Sequence, residues 1–296
     1  MKVALLGFGL IGGSIAYALR RTPEDWTIAA WSPTGVGPAI ARAEELIDEA
    51  ADSPARAVED ADLVVIAAPP LAALELIDEL AGRFAGNLAP DAVVTDVVST
   101  KSAIVARAES AGLRFVGGHP MAGREVGGFD AARADLFSGR PWVVIPASTA
   151  HDGDRERVET LVAASGGIPV SMTPADHDTA VAAISHLPIV VAAALVEAVA
   201  GGAGDAQRPD WTAAASLAAT GWEGMTRLAR GDVAMGTGIA ATNAPAIAAR
   251  VRDLRAVLDA WLSYLDGPDG PDADRIRTRL AEARELLLAS DAAAAE

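Results

Sequence analysis

Val3-Ala4-Leu5-Leu6-Gly7-Phe8-Gly9-Leu10-Ile11-Gly12-Gly13-Ser14 is the stretch that decides the fold of this chain. The apolar run at its start reads as a buried strand, and the residues from Leu10 onward read as a helix. Between them Gly7, Gly9 and Gly12 keep the spacing Gly-x-Gly-x-x-Gly. The first glycine permits a tight turn, the second lets backbone approach a pyrophosphate, and the third allows close helix–strand contact. The phosphate then lies at the positive end of the helix. Strand, helix and N-terminal position agree, so the motif predicts a dinucleotide site on Gly7, Gly9, Leu10, Ile11 and Gly12. An acidic residue about 20 residues after the glycines ordinarily binds the adenosine ribose of NAD. Here the second apolar run ends Ala30-Trp31-Ser32-Pro33-Thr34. Ser32 removes the repulsion a carboxylate would exert on a 2′-phosphate, and no arginine stands beside it to attract one. Both NAD and NADP stay open as the cofactor.

Further apolar runs follow at Thr27–Trp31, Leu63–Ala67, Val93–Val97, Phe115–Gly117, Trp142–Ile145 and Ile168–Met172, and they read as strands. Helical patterns lie between them, as at Ile40–Ala50 and Leu71–Phe84. This alternation predicts an α/β fold with a Rossmann-type, doubly wound parallel sheet. After Thr173-Pro174 the chain turns Ala-rich and helical. The expected division is a dinucleotide-binding domain over 1–172 and an all-α domain over 173–296. Ile247, Val251, Leu254, Leu258, Trp261 and Leu265 alternate steps of four and three, and Ile276, Leu280 and Leu287 mark a last helix. Such a narrow stripe serves either an intramolecular core or a dimer interface.

Composition narrows the function classes. A length of 296 residues suits two domains, and 51% hydrophobic content suits substantial cores. A net charge of −16 argues against nucleic acid as a partner, because phosphate binding needs clustered Lys and Arg. The absence of cysteine excludes disulfides, thiolate metal sites and a cysteine nucleophile. The histidines are scattered, so no metal centre is expected. Lys2 followed by apolar residues and Ala16-Tyr17-Ala18 imitates a signal peptide, but the glycines interrupt it at spacings such a segment has no reason to keep. Glu197 interrupts the apolar stretch after His186, so no membrane span is expected and a cytoplasmic location follows.

Several segments resemble the prephenate and arogenate dehydrogenase family and together cover most of the chain. They are Gly9-Leu10-Ile11-Gly12-Gly13-Ser14, Thr95-Asp96-Val97-Val98-Ser99-Thr100-Lys101 and Gly117-Gly118-His119-Pro120-Met121-Ala122-Gly123. Thr173-Pro174-Ala175-Asp176-His177-Asp178, Ser185-His186-Leu187-Pro188, Thr226-Arg227 and Asn243 complete the set. The resemblance implies a Rossmann domain followed by a helical domain through which two copies dimerise. It implies oxidative decarboxylation of a cyclohexadienol: hydride leaves C4 for a nicotinamide, the C4 hydroxyl loses a proton, and carbon dioxide departs as the ring becomes aromatic. Prephenate would give 4-hydroxyphenylpyruvate and arogenate would give tyrosine.

Aromatisation supplies most of the driving force, so the protein must supply positioning, a proton acceptor and a carboxylate anchor. His119 is the candidate acceptor, since it follows a predicted strand and its type titrates near neutrality. Ser99 resembles the family serine that hydrogen-bonds the catalytic histidine or the substrate hydroxyl, and equally suits the N-cap of a helix starting at Thr100. Arg227 resembles the arginine that pairs with the ring carboxylate; the alternative is a surface arginine, with Arg230 three residues on. His186 resembles a substrate-contacting histidine or a buried helix cap. Glu125 is a candidate gate or polar partner, and His177, between Asp176 and Asp178, reads as interdomain architecture. Ile189 stands where some relatives carry a second histidine, and Glu223 and Gly224 stand where some carry Lys and Asp. No chorismate-mutase segment precedes the glycine motif and the tail is too short for an ACT domain, so feedback through a separate domain is not expected. The rivals are a hydroxyacid dehydrogenase or imine reductase, which would need a catalytic lysine such as Lys101, and a non-catalytic dinucleotide sensor.

Overall fold

Alternate residues of a strand face opposite sides, and in the first strand, β1 (Lys2–Leu6), both sides are buried. Val3 and Leu5 enter one core layer while Ala4 and Leu6 enter the other. A strand covered on both faces needs no polar alternation, which is why these runs are continuously apolar. The computed structural model describes residues 1–124, 126–202 and 208–294. Among them β2 (Thr27–Trp31), β3 (Glu49–Ala50), β4 (Leu63–Ile66), β5 (Val93–Asp96), β6 (Phe115–Pro120), β7 (Pro141–Pro146) and β8 (Ile168–Val170) join β1 in one sheet, ordered β3-β2-β1-β4-β5-β6-β7-β8. The helices of this part are α1 (Leu10–Leu19), α2 (Val36–Ala43), α3 (Pro54–Val58), α4 (Pro70–Ala81), α5 (Ser102–Ser110) and α6 (Asp154–Ala164). Ile15 and Leu19 of α1 and Leu161 of α6 fill one layer; Ile77 of α4 and Ile104 of α5 fill the other. Helices on both faces of a mostly parallel sheet make the doubly wound architecture.

Three details depart from the sequence expectation. The helix expected over Ile40–Ala50 stops at Ala43. Glu45 takes a left-handed φ of 58°, with Glu45 N donating to Arg42 O and Leu46 N to Ala41 O. That is a Schellman ending built without glycine, so it left no signal, and it frees Glu49–Ala50 to pair with β2. Strand β7 runs antiparallel to β6, and β8 follows β7 in parallel, so the sheet is mixed at this edge. Finally, β6 continues past Gly117, and His119 pairs with Val143 inside the strand rather than lying beyond its end.

The chain forms two compact units, Met1–Ile247 and Ala248–Glu296. The first also contains α7 (Pro174–Val181), α8 (Leu187–Ala200), α9 (Trp211–Ser216), α10 (Thr220–Thr226) and α11 (Val233–Thr242). A π-helical turn at Ala182–His186 joins α7 to α8, so Pro174–Ala200 runs as 27 helical residues, within which an 18-residue window reaches a mean hydropathy of 2.1. Its length and composition would allow a membrane crossing, so Glu197 does not disqualify it as the sequence suggested. In α8 only Ala192 is fully buried. The second unit holds most of α12 (Ala244–Leu265) and all of α13 (Ala273–Ala294). Leu258 and Leu265 of the predicted stripe, and Leu280 and Leu287 of α13, stand more than half exposed. A single copy of the chain therefore does not bury this stripe as a core.

Candidate active site

Backbone contact shapes the cofactor end. Gly7 takes φ +102°, and a Cβ there would lie 2.1 Å from Ala67 O; one on Gly12 would lie 2.3 Å from Gly7 O. Any larger residue at either place would push β1, α1 and the segment after β4 apart. Gly9 is the opposite case, because a Cβ on it would meet nothing within 4 Å. Gly9 is the N-cap of α1; no side chain caps the helix and no acidic residue occupies its first turn. The N–H groups of this turn are left to an anionic ligand, as the macrodipole favours. Leu10 and Ile11 open the helix, and Gly12 sits behind the turn, buried.

A cavity of about 680 Å³ opens from this turn and is lined by Gly7, Phe8, Gly9, Ser32, Thr34 and Phe129 among others. That volume falls within the ordinary range for a bound nucleotide or drug-sized ligand. Ser32 and Thr34 lie where the adenosine ribose would sit after β2. The carboxylates missing from β2 appear on α4, where Glu75 and Glu79 line the same cavity together with Arg83, which pairs with Glu79. Nothing in the spacing of the glycines pointed to α4. The residues fit a dinucleotide, and when bound it supplies the hydride acceptor.

The second centre is a hydrogen-bonded chain of imidazoles. His119, partly exposed on β6, places Nδ1 2.8 Å from Nε2 of His177, with the rings edge to face at 76°. His177 in turn places Nδ1 2.8 Å from Oδ1 of Asp178. The start of α7 fixes both: Thr173 caps the helix by accepting from Asp176 N at 3.1 Å, Pro174 sits in the first turn, and His177 N donates to Thr173 O at 3.0 Å. The Asp178 carboxylate also accepts from Lys101 N at 2.7 Å and Ser102 N at 2.8 Å. It therefore caps α5, the role the sequence offered to Ser99. Burial alone would raise the Asp178 carboxyl, but the hydrogen bonds from His177, Ser102 and Lys101 outweigh it and bring it down to about 2.

Asn243 closes the other side. Its Nδ2 donates to Asp178 O at 2.8 Å and lies 3.1 Å from Nδ1 of His186. An amide nitrogen can only donate, so His186 Nδ1 is the acceptor and its proton is on Nε2. That Nε2 is buried, with the Ser99 main chain beside it. Burial lowers His186 to about 4, against the opposing pull of Asp178 and of the Ser99 main chain. His119 is pushed well below its ordinary value by burial, then by His177, Lys101 and His186, with Asp178 opposing. Both rings are uncharged at neutral pH, and an uncharged imidazole can accept a proton.

Lys101 is wholly buried. Its Nζ is bound by the Asp96 carboxylate and by Gly118 O at 2.6 Å, while Asp96 accepts from Gly118 N at 3.0 Å and Val98 N at 2.9 Å. Burial pushes Asp96 up and Lys101 down, and their pairing opposes both shifts. The pair clamps the peptide before His119 and offers no amine to a substrate, which removes the support for a lysine-dependent dehydrogenase. Ser99 lies partly exposed in the bend after β5, and its hydroxyl makes no hydrogen bond to His119 among the described residues. Arg227 is exposed at the start of a 3₁₀ turn after α10. Glu125 lies outside the described residues. His177, Asp178 and Asn243 are the residues whose part in the site the sequence did not disclose.

An open helix N-terminus on a doubly wound sheet, with an uncharged histidine on β6 of the same sheet, is the arrangement of a dinucleotide-dependent oxidoreductase. Residues 15–168 match the family model for the prephenate dehydrogenase nucleotide-binding domain, and residues 173–280 match that for the prephenate dehydrogenase dimerization domain. The chain is 30% identical over 276 residues to prephenate dehydrogenase of Bacillus subtilis, covering 92% of this chain and 72% of that one. Among solved structures, arogenate dehydrogenase of Synechocystis is 31% identical with a TM-score of 0.75, covering 97% of this chain and 100% of that one. Prephenate dehydrogenase from A. aeolicus, in complex with hydroxyphenyl propionate and NAD+, is 26% identical with a TM-score of 0.78, covering 98% and 95%. This chain belongs to the prephenate dehydrogenase family and is an NAD(P)-dependent dehydrogenase of the prephenate/arogenate type.

Proposed function

We propose that this enzyme converts prephenate to 4-hydroxyphenylpyruvate and carbon dioxide in tyrosine biosynthesis. The observation that carries the reading is the uncharged His119, held by hydrogen bonds in series through His177 to Asp178. His119 accepts the proton of the C4 hydroxyl as hydride leaves C4, and carbon dioxide then departs from C1. His186, buried beside the Ser99 main chain, is the proposed contact for a substrate oxygen. A dinucleotide sensor would have no need of this ordered cluster. Arogenate is the second reading, favoured by the 31% identity to the Synechocystis arogenate dehydrogenase. Purified protein assayed with prephenate and with arogenate, each against NAD and NADP, decides substrate and cofactor together. Turnover of neither substrate with either cofactor overturns the reading.

In this reading residues 1–172 hold the cofactor and residues 173–296 pair two copies. The exposed apolar faces of α8, α12 and α13 are what a second copy would cover. A solution mass near 30.1 kDa instead of twice that value would refute the homodimer. The stretch that imitates a signal peptide supplies β1 and α1 to the core, which supports a cytoplasmic enzyme.

Arg227 is the proposed anchor of the ring carboxylate. Its alanine variant is expected to raise the substrate KM roughly ten- to a hundredfold, equivalent to about 1.5–3 kcal/mol for a charge-assisted hydrogen bond. Lysine at this place should restore only part, since an ammonium lacks the planar fork. Steady-state kinetics with cofactor titration test this; unchanged KM and kcat would leave Arg227 a surface residue.

A further inference from the structure

Two hydrogen bonds in series determine where the proton of His119 lies. Asp178 is an ionised acceptor, so His177 Nδ1 donates to it across 2.8 Å. An imidazole whose one N–H is given to Asp178 presents a lone pair at Nε2, which is then an acceptor. The donor across the 2.8 Å contact is then His119 Nδ1. We propose that His177, backed by Asp178, is a positioning residue that holds His119 in the Nδ1–H tautomer, so that Nε2 is the atom that takes the substrate proton. The inference rests on the reading of His119 as the proton acceptor and adds which nitrogen acts and what selects it.

The step balances on this chain's own groups. The hydroxyl O–H bond breaks and an N–H bond forms on Nε2. The electron pair left on oxygen would form the C4 carbonyl, and a nicotinamide held at the Gly7–Gly12 turn would supply the hydride acceptor. His119 then carries N–H on both nitrogens and one positive charge. Burial, His177, Lys101 and His186 oppose that charge, and Asp178 is the carboxylate that favours it. His177 conveys this support because both of its nitrogens are engaged, one toward each partner. Its ring is buried and its backbone is tied to the Thr173 cap, so it cannot turn to another partner without breaking the start of α7.

The test labels histidine with ¹⁵N and reads the tautomer of each ring at neutral pH from two-bond ¹H–¹⁵N correlations. His119 is assigned by the loss of its signals in His119→Asn. The expected pattern for His119 is a protonated Nδ1 and a bare Nε2, opposite to the form that dominates in free imidazole side chains. A protonated Nε2 on His119 in the wild-type protein would overturn the proposal. His177→Phe should release His119 to the common tautomer and lower kcat roughly 10²-fold, with KM and cofactor affinity changed less than about threefold. His177→Gln, whose amide oxygen can accept from His119 Nδ1, should keep most of the turnover. Unaltered kcat in the Phe variant would also count against the proposal. The spectra need no turnover, so they report on the tautomer even if the prephenate and arogenate assays fail.

Discussion

Replacing His119 with Asn is expected to lower kcat by roughly 10²–10⁴-fold while changing cofactor affinity less than about threefold, the range a lost general base accounts for. Asparagine keeps a polar group at the end of β6 but offers no basic nitrogen. The phosphate cradle at Gly7 and Gly9 belongs to the β1–α1 turn, so the substitution leaves it untouched. The pH profile gives a second check with a definite sign. His119 lies well below its ordinary 6.5, so it stays uncharged, and able to accept, as the pH falls past that value. The acid limb of kcat/KM that belongs to this residue should therefore lie below pH 6.5 and vanish in the Asn variant. Near-normal turnover in that variant would remove His119 from the mechanism.

Lys101→Met should cost about 3–5 kcal/mol of unfolding free energy, because it leaves the buried Asp96 carboxyl without its counter-ion, to be held charged in the interior or protonated at a cost. Methionine fills most of the lysine volume, so the loss is electrostatic and not a cavity. Neutralising the partner as well, in Lys101→Met with Asp96→Asn, should recover part of it, since the uncompensated charge is then gone. The main chain hints at a catalytic penalty too. Gly118 gives its N–H to Asp96 and its carbonyl to Lys101, and His119 is the next residue. Denaturant unfolding followed by circular dichroism, at fixed protomer concentration, measures the effect. A loss below about 1 kcal/mol would mean the pair is no stronger than an exposed one.

The parts of this protein that obey short-range rules could be read from its sequence. Gly7, Gly9 and Gly12 announced themselves because a turn, an open phosphate path and a tight helix contact each exclude a side chain. The runs at Leu63, Val93 and Phe115 were visible because strands buried on both faces are apolar without interruption. Where a rule has an exception, the reading went astray. Glu45 ended α2 in a left-handed conformation usually reserved for glycine, so β3 stayed hidden behind a helical pattern. His177 and Asp178 looked like interdomain architecture because their partners are distant in sequence. His119 lies on a strand 58 residues before His177, and Ser102 lies 76 before Asp178. Local composition does not record such pairings. Lys101 stayed open in the sequence only under the rival dehydrogenase reading, and its surroundings make it a buried clamp. The acids of α4 left no signal because Glu75 and Glu79 reach the cavity from a helix more than 40 residues beyond Ser32 in sequence.

One carboxylate, Asp178, both terminates α5 and backs the base through His177. Its two duties tie competence to the order of assembly. The sheet and its glycine turn lie in residues that precede α7, so a chain still acquiring its helices can already offer a place to the nucleotide. On the proposed tautomer, α7 must dock on the start of α5 before His119 can act, so recovery of turnover during refolding would report on that contact, and cofactor binding alone would not.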